Sequence, residues 1–155
     1  MRCLVPLLAA CSSPSKLDVK SAPLPDLSFL AGDWHGTTAD GSKVDVSFKQ
    51  ISNGSVLVET FGKPERQTMT VYHHDGESLI ATHYCGQGNQ PRLRARMTDN
   101  GRLIFTQFDV TDLGRDEAQL VEMSMTTTLD EFDREEVYRA PNGTLDVTKW
   151  KFVRQ

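Results

Sequence analysis

The strongest constraint on this chain is a series of glycine-containing turn dipeptides set between alternating apolar and polar segments. Asp40-Gly41, Asn53-Gly54, Asp75-Gly76, Asn100-Gly101 and Asn142-Gly143 punctuate the chain from Trp34 to its last residue. Asn-Gly and Asp-Gly suit two-residue hairpin loops because both central residues there need positive φ. The segments between them alternate with a period of two, the pattern of strands with one buried face. Strands are expected near 33–38, 43–51, 55–62, 67–74, 77–85, 91–98, 102–110, 119–129, 132–139 and 144–154. Successive short hairpins make an up-and-down antiparallel meander, and closing it removes exposed edges. The expectation is an all-β chain folded as a closed barrel of about ten strands with a short N-terminal helix. A two-sheet β-sandwich is the alternative. Elsewhere a helical reading survives only around 112–119.

The 155 residues suit one domain with a sizeable core. The formal net charge of −4 excludes a general nucleic-acid binder, which needs a basic face to neutralise phosphates. No apolar run approaches the length of a bilayer-spanning helix. Of the cysteines Cys3, Cys11 and Cys85, only Cys85 lies in the body, so no disulfide can staple it and its core must hold it.

The first residues place one positive charge before a short apolar run that ends in Leu8-Ala9-Ala10-Cys11. This resembles a bacterial lipobox, in which small residues admit the peptidase and the cysteine thiol carries diacylglycerol. The resemblance implies a signal peptide at 1–10, a lipidated Cys11 with a flexible tether at 11–26, and a domain at 27–155. Pro14, Pro23 and Pro25, with serines and lysines and no periodic apolar face, give the tether a partly extended character. The expected address is the bacterial cell envelope, with the membrane engaged through the acyl chains alone.

Residues 27–36 read Leu-Ser-Phe-Leu-Ala-Gly-Asp-Trp-His-Gly. An apolar turn that delivers a Gly-x-Trp-x-Gly first strand resembles the opening of calycin barrels: lipocalins, fatty-acid-binding proteins and nitrobindin-like haem barrels. The resemblance extends through Tyr72, Asp75-Gly76 and the stretch 82–91 to bacterial calycin-like proteins of unknown function. It implies that Trp34 plugs one end of the barrel and that a late-strand arginine, Arg154, stacks on it. Nitrobindin-like barrels ligate haem through a histidine on a late strand, and this chain has no histidine after His83. No haem or other cofactor is expected.

Register follows from the turns. With Asn53-Gly54 as the loop, Phe48 lies opposite Glu59 and Val46 opposite Phe61. Val44, Val46, Phe48, Leu57, Glu59 and Phe61 then share the inward face, and Glu59 is a carboxylate aimed into an apolar interior. Such a group must be paired, hydrogen-bonded or neutralised. Arg94 or Arg96 could pair with it if their strand faces inward; otherwise Tyr72 or His83 could. Around Asp75-Gly76, Tyr72 is expected opposite Leu79, with Tyr72, His83 and Cys85 on one face that pattern alone assigns neither to the inside nor to the outside. Around Asn100-Gly101, Arg94 is expected opposite Gln107 and Arg96 opposite Phe105. Simple patterning turns the arginines outward, with Leu93, Ala95, Met97, Ile104 and Phe108 on the alternative face; a ligand-binding barrel could reverse this.

His73, His74, His83 and Cys85 do not converge on one metal. In the expected hairpin His74 pairs with Glu77, roughly 20 Å along the strand from His83 at ~3.3 Å per residue. The Gly-rich stretch from Cys85 to Gln90 reads as a barrel rim, where His83, Tyr84, Asn89 and Gln90 could orient a ligand at the mouth. No Gly-x-Ser-x-Gly elbow, P-loop or His-Glu-x-x-His sequence appears. The expected function is binding of a small, largely apolar ligand, with Glu59, Tyr72, His83, Arg94, Phe48 and Phe61 as ligand-binding residues. The alternatives are an enzyme using Glu59 and His83 as acid–base groups on a small or lipid-derived substrate, and a structural envelope protein with a filled barrel.

Overall fold

A computed structural model describes residues 24–155. Cys11, the lipobox and most of the tether lie outside the described residues. The chain forms ten strands: β1 (Gly32–Thr37), β2 (Lys43–Ile51), β3 (Val56–Phe61), β4 (Thr68–Asp75), β5 (Ser78–Tyr84), β6 (Gln90–Met97), β7 (Leu103–Thr111), β8 (Gln119–Thr127), β9 (Glu131–Arg139) and β10 (Leu145–Arg154). Each pairs antiparallel with its sequence neighbours, and β10 returns to β1 to close the barrel. Closure settles the choice against a sandwich. Where a short helix is expected, Leu27–Leu30 makes a single 3-10 turn, capped by the Asp26 carboxylate on the Ser28 N–H at 2.9 Å. Residues 112–118 form a loop, not a helix.

That turn and the Gly-x-Trp-x-Gly strand build the closed end. Trp34 is fully buried, and its Nε1 donates to Leu30 O at 2.8 Å. Its cross-strand partner is Arg154, whose Cζ lies 4.2 Å from the indole centroid. The same guanidinium donates to Ala31 O at 3.0 Å and to Phe29 O at 2.7 Å, tying the entering chain to the last strand. Gly36 is required by packing: a Cβ there would stand 2.8 Å from both Phe152 Cδ1 and Val44 Cγ1. Phe132 packs edge-on to Trp34 and stacks on Phe152, with ring centroids 4.9 and 4.4 Å away. Phe48 joins this aromatic group, its ring 6.0 Å from Phe132.

The turns hold the main departures from the sequence reading. Gly41, Gly101 and Gly143 have φ of 87°, 79° and 84°, while the Asp or Asn before each keeps negative φ. Backbone bonds pair Thr38 with Ser42, Thr98 with Arg102 and Ala140 with Thr144. These are three-residue loops that end in a left-handed glycine, not two-residue loops with both residues at positive φ. At 99–101 the extra residue moves the register by one. Arg94 lies opposite Thr106 and Arg96 opposite Ile104, not Gln107 and Phe105. A one-residue shift exchanges faces. Phe105 is therefore fully buried inside, and Phe108 is exposed outside.

The Asp75-Gly76 hairpin differs in another way. Its two loop residues are Gly76 and Glu77, with positive φ at the glycine alone, which fits a type II′ turn. Tyr72 then faces Ala81 instead of Leu79, and His74 faces Leu79 instead of Glu77. A shift of two preserves facing, so Tyr72 and His83 still share a side, and that side is the interior. The loop at Asn53-Gly54 contains a 3-10 turn with positive φ at Ser52, Asn53 and Gly54, yet Phe48 lies opposite Glu59 and Val46 opposite Phe61, as read from the sequence.

Candidate functional site

Strand direction puts the loops 38–42, 62–67, 85–89, 112–118 and 140–144 together at the end opposite Trp34. On one side of this end two loops tie together. Asn89 Nδ2 donates to Glu117 Oε2 at 2.9 Å and to Ala118 O at 3.1 Å, and Ala118 N donates to Gln87 at 2.9 Å. The other side opens into a cavity of about 810 Å³. Val44 and Phe61 give it apolar wall; His83, Glu136 and Tyr138 give it hydrogen-bonding groups; Lys43, Lys63 and Arg66 stand at its exposed rim.

Beneath the cavity lies a buried ionic cluster whose Glu136 reaches the cavity wall. Glu59 is 0% exposed, and its Oε2 accepts from Tyr72 Oη at 2.5 Å. Its Oε1 accepts from Arg134 Nη1 at 2.5 Å. Arg134, on β9 across the barrel, also pairs through Nη2 with Glu136 Oε1. One guanidinium thus bridges two carboxylates, and its Cζ lies 5.3 Å from the Phe61 ring. Burial works against the charge of Arg134, but Glu136 and Glu59 outweigh it and hold the pKa well above the ordinary value. Burial and the neighbouring Glu59 raise the pKa of Tyr72, so its hydroxyl is a donor and not a phenolate.

A second network adjoins the first. His83 Nδ1 lies 3.0 Å from Thr70 Oγ1, and its Nε2 lies 3.2 Å from Tyr138 Oη. Both ring nitrogens are engaged whichever carries the proton. Burial, reinforced by Arg134, lowers the His83 pKa to about 4, so the imidazole is neutral at physiological pH. Burial and then Glu136 raise the pKa of Tyr138. The interior offers neutral imidazole and phenol groups beside a cluster in which one guanidinium faces two carboxylates. Two buried donors, Arg134 Nε and Trp150 Nε1, lack partners among the described residues.

The residues singled out from sequence separate into layers. Phe61 and His83 line the cavity. Glu59 and Tyr72 lie behind them, and Phe48 belongs to the aromatic group near the closed end. Arg94 is an outer-face residue: its Cζ lies 4.9 Å from the exposed Phe108 ring. It cannot reach Glu59 or the cavity, because alternation turns it away from Leu93 and Ala95. Arg96 is likewise exposed. Tyr84 is exposed, Asn89 clamps the loop at 112–118, and Gln90 bonds Thr111, so none of these three forms the cavity wall. The residues missed are Arg134, Glu136 and Tyr138. Their signal was alternation on β9, where Phe132 and Tyr138 mark the inward face and enclose Arg134 and Glu136 between them.

A smaller hollow of about 510 Å³ lies beside β8 to β10. Its main charges already pair: Glu135 accepts from Lys149 at 3.1 Å and lies 3.6 Å from Arg102. No protein-family model matches the chain, and no curated protein matches it.

Proposed function

We propose that this chain is a lipid-anchored, calycin-like binding protein of the bacterial envelope whose barrel mouth holds a small molecule with an apolar body. One observation carries the binding reading: a cavity of about 810 Å³ whose inner surface combines Phe61 and Val44 with fixed polar groups at His83, Glu136 and Tyr138. Pockets of this volume and composition hold drug-sized ligands, with apolar wall for affinity and a few polar groups for orientation. Glu59, Tyr72 and Arg134 bond to one another beneath the cavity and brace its inner wall, where Glu136 is the member of the cluster that lines the cavity. The anchor rests on the lipobox-like Leu8-Ala9-Ala10-Cys11 and the proline-rich segment after it.

Binding is tested with a neutral apolar fluorophore, phenylnaphthylamine, and with native mass spectrometry of protein purified without refolding. Val44→Trp fills the cavity and should weaken probe binding by about tenfold or more. Equal binding by wild type and Val44→Trp would place the probe elsewhere and remove the case for the cavity. Cys11→Ser should move the protein from the membrane to the soluble envelope fraction. Unchanged membrane association would dispose of the anchor.

A further inference from the structure

We infer that the mouth cavity takes a small organic cation, a protonated amine on an apolar body, and turns away carboxylates. This rests on the cavity being a binding site and specifies its ligand chemistry. An arginine inside a barrel invites an anionic ligand, but the geometry here argues against one: the Arg134 Nε left without a partner is itself buried. Arg134 Nη1 is committed to Glu59 and Nη2 to Glu136, so both ends of its fork are occupied by the protein's own carboxylates.

The ion that reaches the cavity surface is Glu136, not Arg134. The Arg134 side chain is 1% exposed and the Glu136 side chain 10%, and Glu136 lines the cavity. Glu136 Oε1 holds Arg134, and among the described residues no hydrogen bond or ion pair is made to Oε2. Counted formally, one guanidinium faces two carboxylates, which leaves the cluster one positive charge short. His83 and Tyr138 add no cation: the imidazole is neutral and the phenol keeps its proton. A ligand ammonium at Oε2 would supply the missing charge through a charge-assisted hydrogen bond. A ligand carboxylate would meet Glu136 as a like charge in a low-dielectric setting.

Lys43, Lys63 and Arg66 at the rim act the other way, but all three are exposed. Exposed charges are screened by water and salt, whereas the Glu136 carboxylate is largely shielded from both. The inner group therefore decides which ligand is held. The rim affects how fast ligands arrive.

The test is competition against phenylnaphthylamine near neutral pH, using naphthylmethylamine, naphthoate and naphthylmethanol, which share one apolar body. The amine should compete about tenfold or more better than the carboxylate, with the alcohol between them. Glu136→Gln, which keeps a hydrogen bond to Arg134, should cost the amine about tenfold and leave the alcohol within about twofold. A circular dichroism melt checks that this variant folds, and the wild-type comparison stands without it. Carboxylate binding as tight as amine binding, or an amine affinity unmoved in folded Glu136→Gln, overturns the inference while leaving the cavity reading in place. Failure of the fluorophore and all three competitors to bind removes both.

Discussion

Arg134 and Arg154 lie on neighbouring strands, each against an aromatic ring, and they solve the same problem in opposite ways. Arg154 is half-buried at the closed end, where backbone carbonyls of Ala31 and Phe29 and the face of Trp34 receive it. All its partners are neutral, and solvent is near. Arg134 is 1% exposed in mid-barrel, with carboxylates on both arms of its fork and the Phe61 ring nearby. A guanidinium at the edge keeps enough hydration for dipoles to suffice. One taken out of water needs opposite charge to offset its desolvation. The closed end is thus a clasp between the first and last strands, and the middle is a polar partition beneath a cavity.

The sharpest way to break this comparison is to remove each guanidinium. Arg134→Leu strands Glu59 and Glu136 in the interior and should cost about 3–5 kcal/mol in urea unfolding. Replacing Glu59, Arg134 and Glu136 together with leucine should return stability to within about 1–2 kcal/mol of wild type. If the single change proves as mild as the triple one, the carboxylates do not depend on Arg134.

The next effect is pH dependence in the cavity half. His83 titrates at about 4 in the folded chain against 6.5 for an ordinary histidine. As pH falls through 6.5 the unfolded chain takes up this proton first, so protonation favours unfolding. The contribution is complete above about 6.5, is lost progressively toward 4 and levels off below that. The loss is on the order of 3 kcal/mol. It should appear as a difference between wild type and His83→Gln in unfolding free energy measured across that window. Parallel curves for the two proteins would show that His83 is not held neutral by the fold.

Arg154→Met should cost less, about 1–2 kcal/mol, because it loses a cation–π contact and bonds to carbonyls that water can partly replace. Trp34 fluorescence should shift to the red as the indole loses its cover. Arg94→Ala is the surface control. It removes an exposed guanidinium resting on an exposed ring and should change stability by no more than about 0.5 kcal/mol. A loss at Arg94 comparable to that at Arg154 would erase the distinction between clasp and surface stacking.

Particular residues show how much of the site could be read in advance. The facing of Glu59 came from one hairpin whose register holds even though its loop is more contorted than a two-residue turn. Tyr72 was one of its candidate partners and does bond it. Arg134 was out of reach because it lies 75 residues from Glu59 in the chain and no local pattern pairs them. Arg94 misled by proximity in sequence, since an arginine on a middle strand looks available to a carboxylate until alternation assigns its face. The hairpin at 99–101 misled because Asn-Gly serves both a two-residue turn and a three-residue turn that ends in glycine.

What the sequence by itself determined was local in origin. Alternation and turn chemistry set the strands, their antiparallel order and the inward position of Glu59, because each depends on residues within one hairpin. That Trp34 plugs one end was implied by the resemblance of the Gly-x-Trp-x-Gly strand to calycin openings, not by local chemistry. Tertiary structure decided the rest. The length of a turn was selected by the twist of the strands it joins, and that choice put Phe105 inside and Phe108 outside. The pairing of Glu59 with Arg134 required the sheet to curl until β3 and β9 faced each other across the interior. Charges so far apart in the chain find one another only when closure removes the water between them.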